Sequence, residues 1–187
     1  MKVLYIFLVS FILISSAVAQ QSYSISTNES SVVVKGTSSA HDWESNAEDF
    51  TGSAIFTITD GVMESLEALS FSIKAESIKS GKRIMDNKTK DALDAKDHPQ
   101  ITFEFISLEG IDNDTVWVKG NLSLAGVTNE VMLTGVYELG ENGSVWVSGS
   151  QPVDMEGYNI KPPTAMMGAL KTGKDVNVEY RIKFSQN

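Results

Sequence analysis

The stretch Gln100-Ile101-Thr102-Phe103-Glu104-Phe105 decides the fold. Ile101, Phe103 and Phe105 fall on one side of an extended chain, and Thr102 and Glu104 fall on the other. That period of two marks a strand with one buried face. The alternation recurs outward from this stretch, in Leu69, Phe71 and Ile73 before it and in Val116, Val118, Leu122 and Leu124 after it. It returns in Val176, Val178, Tyr180, Ile182 and Phe184. Antiparallel strands that bury one face on a core read in this way.

Turn chemistry separates these runs. Asp60-Gly61, Asp112-Asn113-Asp114, Gly126-Val127-Thr128-Asn129 and Asn142-Gly143 lie between them, and Asn-Gly is the strongest short hairpin dipeptide. The pattern predicts about eight strands. They fall near residues 22–27, 31–39, 52–59, 66–78, 100–109, 115–125, 129–139 with 143–150, and 174–184. One segment departs from the period of two. Lys82 to Ala95 places Ile84, Met85, Ala92 and Leu93 at helical offsets among Asp and Lys, and it closes before His98-Pro99, so it predicts an amphipathic helix. A second, short helical turn is expected from Pro162-Pro163, carrying Ala165, Met166, Met167, Ala169 and Leu170. Antiparallel strands in this number avoid open edges by closing into a barrel or by packing as a sandwich. The long strands and the single helix favour an all-β, antiparallel barrel, which at this size is either filled by side chains or holds one small ligand.

The first residues read as an export sequence rather than as part of the fold. Lys2 precedes an apolar run from Val3 to Ile14, and Ala17-Val18-Ala19 has the small-x-small form of a cleavage site. The run is shorter than the roughly 20 residues that span a bilayer. Residues 1–19 are therefore expected to be a cleaved signal peptide and residues 20–187 one domain, periplasmic or secreted. Gln20 follows the site and the chain has no cysteine, so neither a lipid anchor nor disulfides are expected. A mature chain of 168 residues (187 minus 19) buries about 70% of its unfolded surface as one domain. Loss of Lys2 takes the formal charge from -9 to -10. That balance argues against a nucleic-acid partner, which needs a basic face.

Chemistry-bearing motifs are sparse. The two histidines, His41 and His98, lie far apart, and the chain lacks the Cys and His spacings of a zinc site. It has no G-x-S-x-G elbow and no glycine loop in a strand-loop-helix setting. Asp112-Asn113-Asp114 begins like a calcium loop but lacks the glycine and the terminal glutamate such a loop needs. Neither catalysis nor a metal is expected, with an enzyme centred on His41, Asp42 and Trp43 at a barrel mouth as the alternative. What remains is apolar: Met155, Met166 and Met167 gather with Tyr158, Ile160 and Leu170 in a loop-rich stretch. Flexible methionines there suit either contact with an apolar ligand or a plug at one end of the barrel.

Several segments together resemble the YceI-like family. Gly36-Thr37-Ser38-Ser39-Ala40-His41-Asp42-Trp43 is similar to its G-T-S-x-x-H-D-W stretch. His98-Pro99-Gln100-Ile101-Thr102-Phe103 is similar to its x-P-x-I-T-F passage, and Gly120 to Thr128 to its G-x-L-x-L-x-G-V-T. Ile160 to Gly168 looks like a variant within the family rather than its commonest form. The resemblance implies a lipocalin-like barrel whose lumen holds a polyisoprenoid tail, such as that of a quinone or a prenyl phosphate, with no other cofactor. On this reading an isoprenoid or fatty lipid is the partner. Phe56, Phe71, Ile73, Phe103, Phe105, Leu122, Leu124 and Leu133 are expected to line the tunnel, and Met155, Met166, Met167 and Leu170 to form its mouth or plug. A filled core serving a structural or stress-protective role is the competing expectation. Whether two copies pair as a homodimer stays open at the level of sequence.

Overall fold

The computed structural model describes residues 21–187, so the expected signal peptide lies outside the described residues. The alternating runs form strands that pair with their neighbours in sequence. β1 (Gln21–Ile25) and β2 (Ser31–Ser38) are halves of one stave, kinked by a 3-10 turn at Thr27–Glu29. β3 (Trp43–Ala47) and β4 (Phe50–Thr59) make the second stave, which runs back along the first with Gly36 opposite Trp43 and Gln21 opposite Phe56. β5 (Val62–Lys74) and β6 (Ile78–Lys79) make the third. Four single strands follow: β7 (Gln100–Asp112), β8 (Thr115–Leu124), β9 (Val127–Leu139) and β10 (Val145–Asp154). A two-residue strand, β11 (Thr164–Ala165), leads into the long β12 (Leu170–Gln186). β12 pairs with β10 on one edge and with the first stave on the other, Phe184 opposite Ile25 and Tyr180 opposite Val32. The result is a closed, eight-stave antiparallel barrel. Closure removes the open edges that a sheet of alternating strands would otherwise expose.

The expected number of strands matches, but its parts differ. The runs at 22–27 and 31–39 are one stave, whereas 129–139 and 143–150 are two. β3 escapes the pattern because Trp43-Glu44-Ser45-Asn46-Ala47 has too few apolar residues to alternate visibly. The turn expected across Gly126 to Asn129 sits one step earlier, at Ala125 (φ 48) and Gly126 (φ 78), and Val127 already belongs to β9. Two left-handed residues give the twist that a two-residue hairpin needs, and alanine is a poor sequence marker for it. The short helical turn does not begin at Pro162-Pro163. The prolines precede β11, which pairs Thr164 with Lys171, and a three-residue 3-10 turn follows at Met166–Gly168.

An up-and-down order puts successive connections at opposite ends of the barrel. At one end lie the tight hairpins at Asp60-Gly61, Asn113-Asp114 and Asn142-Gly143, with left-handed backbone at Asp60, Asn113 and Asn142. There the barrel is stoppered by aromatics. Tyr23 meets Phe56 edge-on at 5.1 Å and Phe56 meets Phe184 at 5.4 Å, beside fully buried Met63 and Val145. At the other end lie the 39–42 loop, the Ala125-Gly126 turn, the 155–169 segment and helix α1 (Arg83–Ala92). α1 has no buried residue, although Ala92 and the adjoining Leu93 pack on a second cluster of Leu124, Val153, Met155, Tyr158 and Ile160. Its first turn is tied to the chain before it by Asp86, whose carboxylate accepts from the Ser80 amide (2.7 Å) and hydroxyl (2.6 Å). Those two bonds hold the Asp86 carboxyl below the ordinary range.

Two ladders stop short. β5 and β7 pair only from Lys74–Gln100 to Ser70–Glu104, and β9 and β10 only from Leu139–Val145 to Gly135–Gly149. Past Gly149 the wall is bridged by other means. The Tyr180 hydroxyl reaches from β12 to donate to the Thr134 carbonyl at 3.1 Å, and the Asn129 side-chain amide donates to the Gly157 carbonyl at 2.9 Å.

Candidate functional site

The inward faces of the staves do not meet. They enclose a cavity of about 810 Å³ that opens at the α1 end, which overturns the expectation of a filled core. Each stave contributes alternate residues, as the pleat requires. Val176, Val178, Tyr180, Ile182 and Phe184 of β12 form one continuous stripe of its wall. Its floor is Phe56, Met63 and Phe184, the inner surface of the aromatic stopper.

Most of the residues expected to line a tunnel do line this cavity: Phe56, Phe71, Ile73, Phe103, Leu122, Leu124 and Leu133 from the staves, and Met155 and Leu170 from the mouth. Three do not fit. Phe105 packs against the core cluster without reaching the cavity. It sits just beyond the last β5–β7 pair, Ser70–Glu104, and a β-bulge follows between Phe105 and Ser107, so the wall changes course there. Met167 is fully exposed, its left-handed backbone (φ 53) turning it outward. The side chain of Met166 lies outside the described part of the structure.

Other lining residues escaped the reading although their pattern was visible. The β12 stripe and Val116 and Val118 of β8 alternate as clearly as Phe103 does. Ile84 and Met85 of α1 also line the cavity. They show that the helix's apolar face covers the opening, which helical periodicity alone does not reveal.

Polar groups concentrate at the mouth. Ser38, His41, Trp43, Lys82, Arg83, Lys88 and Lys171 all border the cavity there. The 39–42 loop is held by its own bonds. The Ser38 hydroxyl donates to the His41 carbonyl (2.7 Å), the His41 ring nitrogen Nδ1 lies 2.7 Å from the Asp42 carbonyl, and Trp43 Nε1 donates to the Thr37 carbonyl (3.1 Å). Trp43 lies flat across Gly36, where a Cβ would stand 2.3 Å from the indole, so only glycine fits beneath it. His41 and Trp43 thus help frame the opening, while Asp42 does not border it. His98 sits elsewhere, its ring packed over the Ala125-Gly126 turn and its Nε2 3.8 Å from Asp94. Further in, the wall includes Tyr180, whose hydroxyl is already engaged by Thr134. Burial pushes that phenol up to about 12, so it stays a neutral donor at any physiological pH. Among the described residues no group of three or more His, Cys, Asp or Glu is placed to hold a metal.

Comparison with known proteins agrees with the architecture. The family described as the YceI-like domain matches residues 23–184. A UPF0312 protein of Azotobacter vinelandii is 31% identical over 100 residues, a match spanning 52% of this chain and only 50% of that protein's length. BcnA of Burkholderia cenocepacia superposes with a TM-score of 0.72 at 16% identity, covering 85% of this chain and 98% of its own. A polyisoprenoid binding domain from Saccharophagus degradans, implicated in plant cell wall breakdown, gives 0.70 at 13% identity, covering 89% and 99%. The Campylobacter jejuni YCEI protein gives 0.61 at 21% identity, covering 76% and 84%. At these identities the superpositions speak to the fold.

Proposed function

The chain belongs to the YceI-like domain family, and from that premise we propose that its barrel binds a long-chain isoprenoid or similar amphiphilic lipid and catalyses no reaction on it. The observation that carries this reading is the cavity itself. It runs from an aromatic floor to a framed opening between walls of Val, Leu, Ile and Phe, and its volume of about 810 Å³ lies in the range of ligand pockets. The mechanism is desolvation: each methylene moved from water into such a wall contributes about 0.8 kcal/mol, before the costs of ordering the chain. A flexible polyisoprenoid or quinone tail can follow a narrow apolar tunnel where a rigid, compact ligand would leave wall uncovered. The name of the Saccharophagus degradans domain supports the isoprenoid assignment. The small-residue site at Ala17-Val18-Ala19 supports export, so we place the binding in the periplasm or outside the cell. There a barrel of this kind carries, stores or protects a lipid across an aqueous space.

Native mass spectrometry of the protein, purified without detergent from its own host, tests the proposal. The intact mass is expected to exceed the denatured mass by several hundred daltons, and the difference to fragment as an isoprenoid. Equal masses for a folded protein that also takes up no added geranylgeraniol would overturn it.

A further inference from the structure

The mouth differs in charge from the rest of the molecule. The chain carries 24 Asp and Glu against 15 Lys and Arg, yet among the described residues no carboxylate borders the cavity, while Lys82, Arg83, Lys88 and Lys171 all do. Lys82 and Arg83 stand at the start of α1 and Lys88 lies one turn and a half along it. Lys171 comes from the opposite side, at the start of β12. Its backbone is fixed to the mouth loop, the Ser39 amide donating to the Lys171 carbonyl (2.9 Å) and the Lys171 amide to the Ser39 hydroxyl (3.1 Å). Among the described residues none of the four cations has a carboxylate within ion-pair distance. This sets them apart from Lys35, Lys74, Lys174 and Lys183, which are paired with acids on the outer surface. The nearby acids are turned to other uses: Asp86 holds Ser80, Glu76 pairs with Lys74 at 3.0 Å, and Asp91 faces a neighbouring recess.

A second feature points the same way. α1 begins at the mouth, and its N-cap residue, Lys82, offers no side-chain acceptor to the first turn. The amides of Arg83, Ile84 and Met85 therefore lack a side-chain cap at the end of the helix where partial positive charge collects. The neighbouring recess shares Lys88, Ala92, Pro163 and Thr164 with the cavity and adds Lys161 together with Asp91, so the place for a headgroup is the cavity side of Lys88, where no described carboxylate stands. Four unpaired cations held against one rim repel one another, and an anion seated among them relieves that repulsion.

We propose that the bound amphiphile carries an anionic headgroup, a phosphate or a carboxylate, seated at the mouth between the start of α1 and Lys171 while its chain fills the barrel. This rests on the reading of the barrel as a lipid-chain site. That reading explains why a chain would enter, and the mouth adds which end stays outside. Apolar burial alone favours the neutral alcohol as much as the phosphate, so the charge at the rim is what selects between lipids of equal chain length.

The test compares geranylgeraniol, geranylgeranyl monophosphate and geranylgeranoic acid, with inorganic phosphate as a competitor, on the wild type and on the combined variant K82Q/R83Q/K88Q/K171Q. Thermal melting checks that the variant folds. The wild type is expected to prefer the phosphate and the acid over the alcohol by about tenfold, the sum of several partly exposed charge contacts. That preference should fall as salt is raised. Inorganic phosphate should compete weakly, since it lacks the chain. In the variant the ratio of phosphate to alcohol affinity should approach one. Equal binding of alcohol and phosphate by the wild type, or a preference that survives in the variant, overturns the headgroup assignment while leaving the tunnel in place. A variant that keeps the preference but no longer adsorbs to phosphatidylglycerol vesicles would assign the cations to a bilayer surface, and also overturns it. If the wild type binds none of the three probes, the lipid-chain reading itself fails.

Discussion

The two ends of this barrel are built on different rules. The closed end joins its staves by two-residue turns at Asp60-Gly61 and Asn113-Asp114 and by the short 140–144 loop, has Asp or Asn at each non-glycine left-handed position, and buries Tyr23, Phe56, Met63 and Phe184 against one another. The open end joins them by one such turn at Ala125-Gly126 but otherwise by a helix, 3-10 turns and longer loops, leaves Ile84 and Met167 exposed, and gathers its unpaired cations. Stability and specificity are thus separated along one axis. The closed end can be tight because nothing passes through it. The open end has to part for a ligand, and its helix, without one buried residue, is held mainly by Asp86 and by the packing of Ala92 and Leu93.

The largest test of this division is truncation at the stopper. Phe56→Ala removes a ring that touches both Tyr23 and Phe184 and is expected to cost about 3–5 kcal/mol in urea unfolding, the range for a buried phenylalanine. Ile84→Ala at the mouth should stay within about 0.5 kcal/mol, as an exposed position does. Comparable losses at the two positions would mean that α1 is an integral part of the fold and the contrast is wrong. Next in size is Leu133→Trp, halfway along the wall. The indole enters cavity space rather than packed core, so stability should change by less than about 1 kcal/mol. Affinity for geranylgeraniol should fall by at least about tenfold, because the ring takes the volume the chain would use. A large loss of stability with unchanged binding would show that Leu133 belongs to packed core.

The same division explains what the sequence discloses. Along the staves the pleat forces inside and outside to alternate, so Ile101, Phe103, Leu122 and Leu124 announce themselves, and Asp60-Gly61 and Asn142-Gly143 mark turns that only a few residue types can make. Parity fails where pairing fails. Phe105 stands where the β5–β7 ladder ends and a bulge begins, and nothing local in Phe-Glu-Phe-Ile-Ser foretells that, because a ladder's end is set by how the partner strand diverges. The mouth is obscure for a related reason. Met155, Met167 and Leu170 are all apolar in the sequence, yet Met155 is buried, Leu170 lines the cavity and Met167 faces solvent. Their directions depend on irregular backbone that has no period to read. Nor does the sequence show that Lys82 and Lys171, 89 positions apart (171 minus 82), border one opening. Barrel closure brings them there.

Two smaller effects sharpen the contrast through pH. Asp86→Ala removes the acceptor for the Ser80 amide and hydroxyl, and α1 amides are expected to exchange roughly threefold to tenfold faster, with little change at the closed end. In the wild type the folded Asp86 carboxyl sits below its ordinary value of 3.8. Its contribution is therefore present above that value and is lost as pH falls through the folded one. Protection of α1 should decline in that acid window before the hairpins at Asp60 and Asn142 do. An Asp86→Ala protein whose α1 exchange keeps the same acid dependence would remove Asp86 as the tie.

Tyr180 supplies the alkaline counterpart. Its folded value is raised from 10.0 to about 12 by burial, so the stability linked to its neutral form is complete below pH 10 and is lost as pH rises toward about 12. Ultraviolet titration of the folded protein should show a late tyrosinate step that Tyr180→Phe abolishes. Because the ring lines the cavity, a bound chain would exclude more water from it and push that step later still. Tyr23 is also raised by burial, but it belongs to the stopper, where its pairing with Phe56 is set by the fold alone. A shift on adding geranylgeraniol that vanishes in Tyr180→Phe would place the chain beside Tyr180, deep in the barrel. A shift that persists in Tyr180→Phe would trace to Tyr158 at the open end or to Tyr23, both also raised by burial. Only a shift that Tyr23→Phe then removes would mean that ligand binding repacks the closed end, which the division between the two ends forbids.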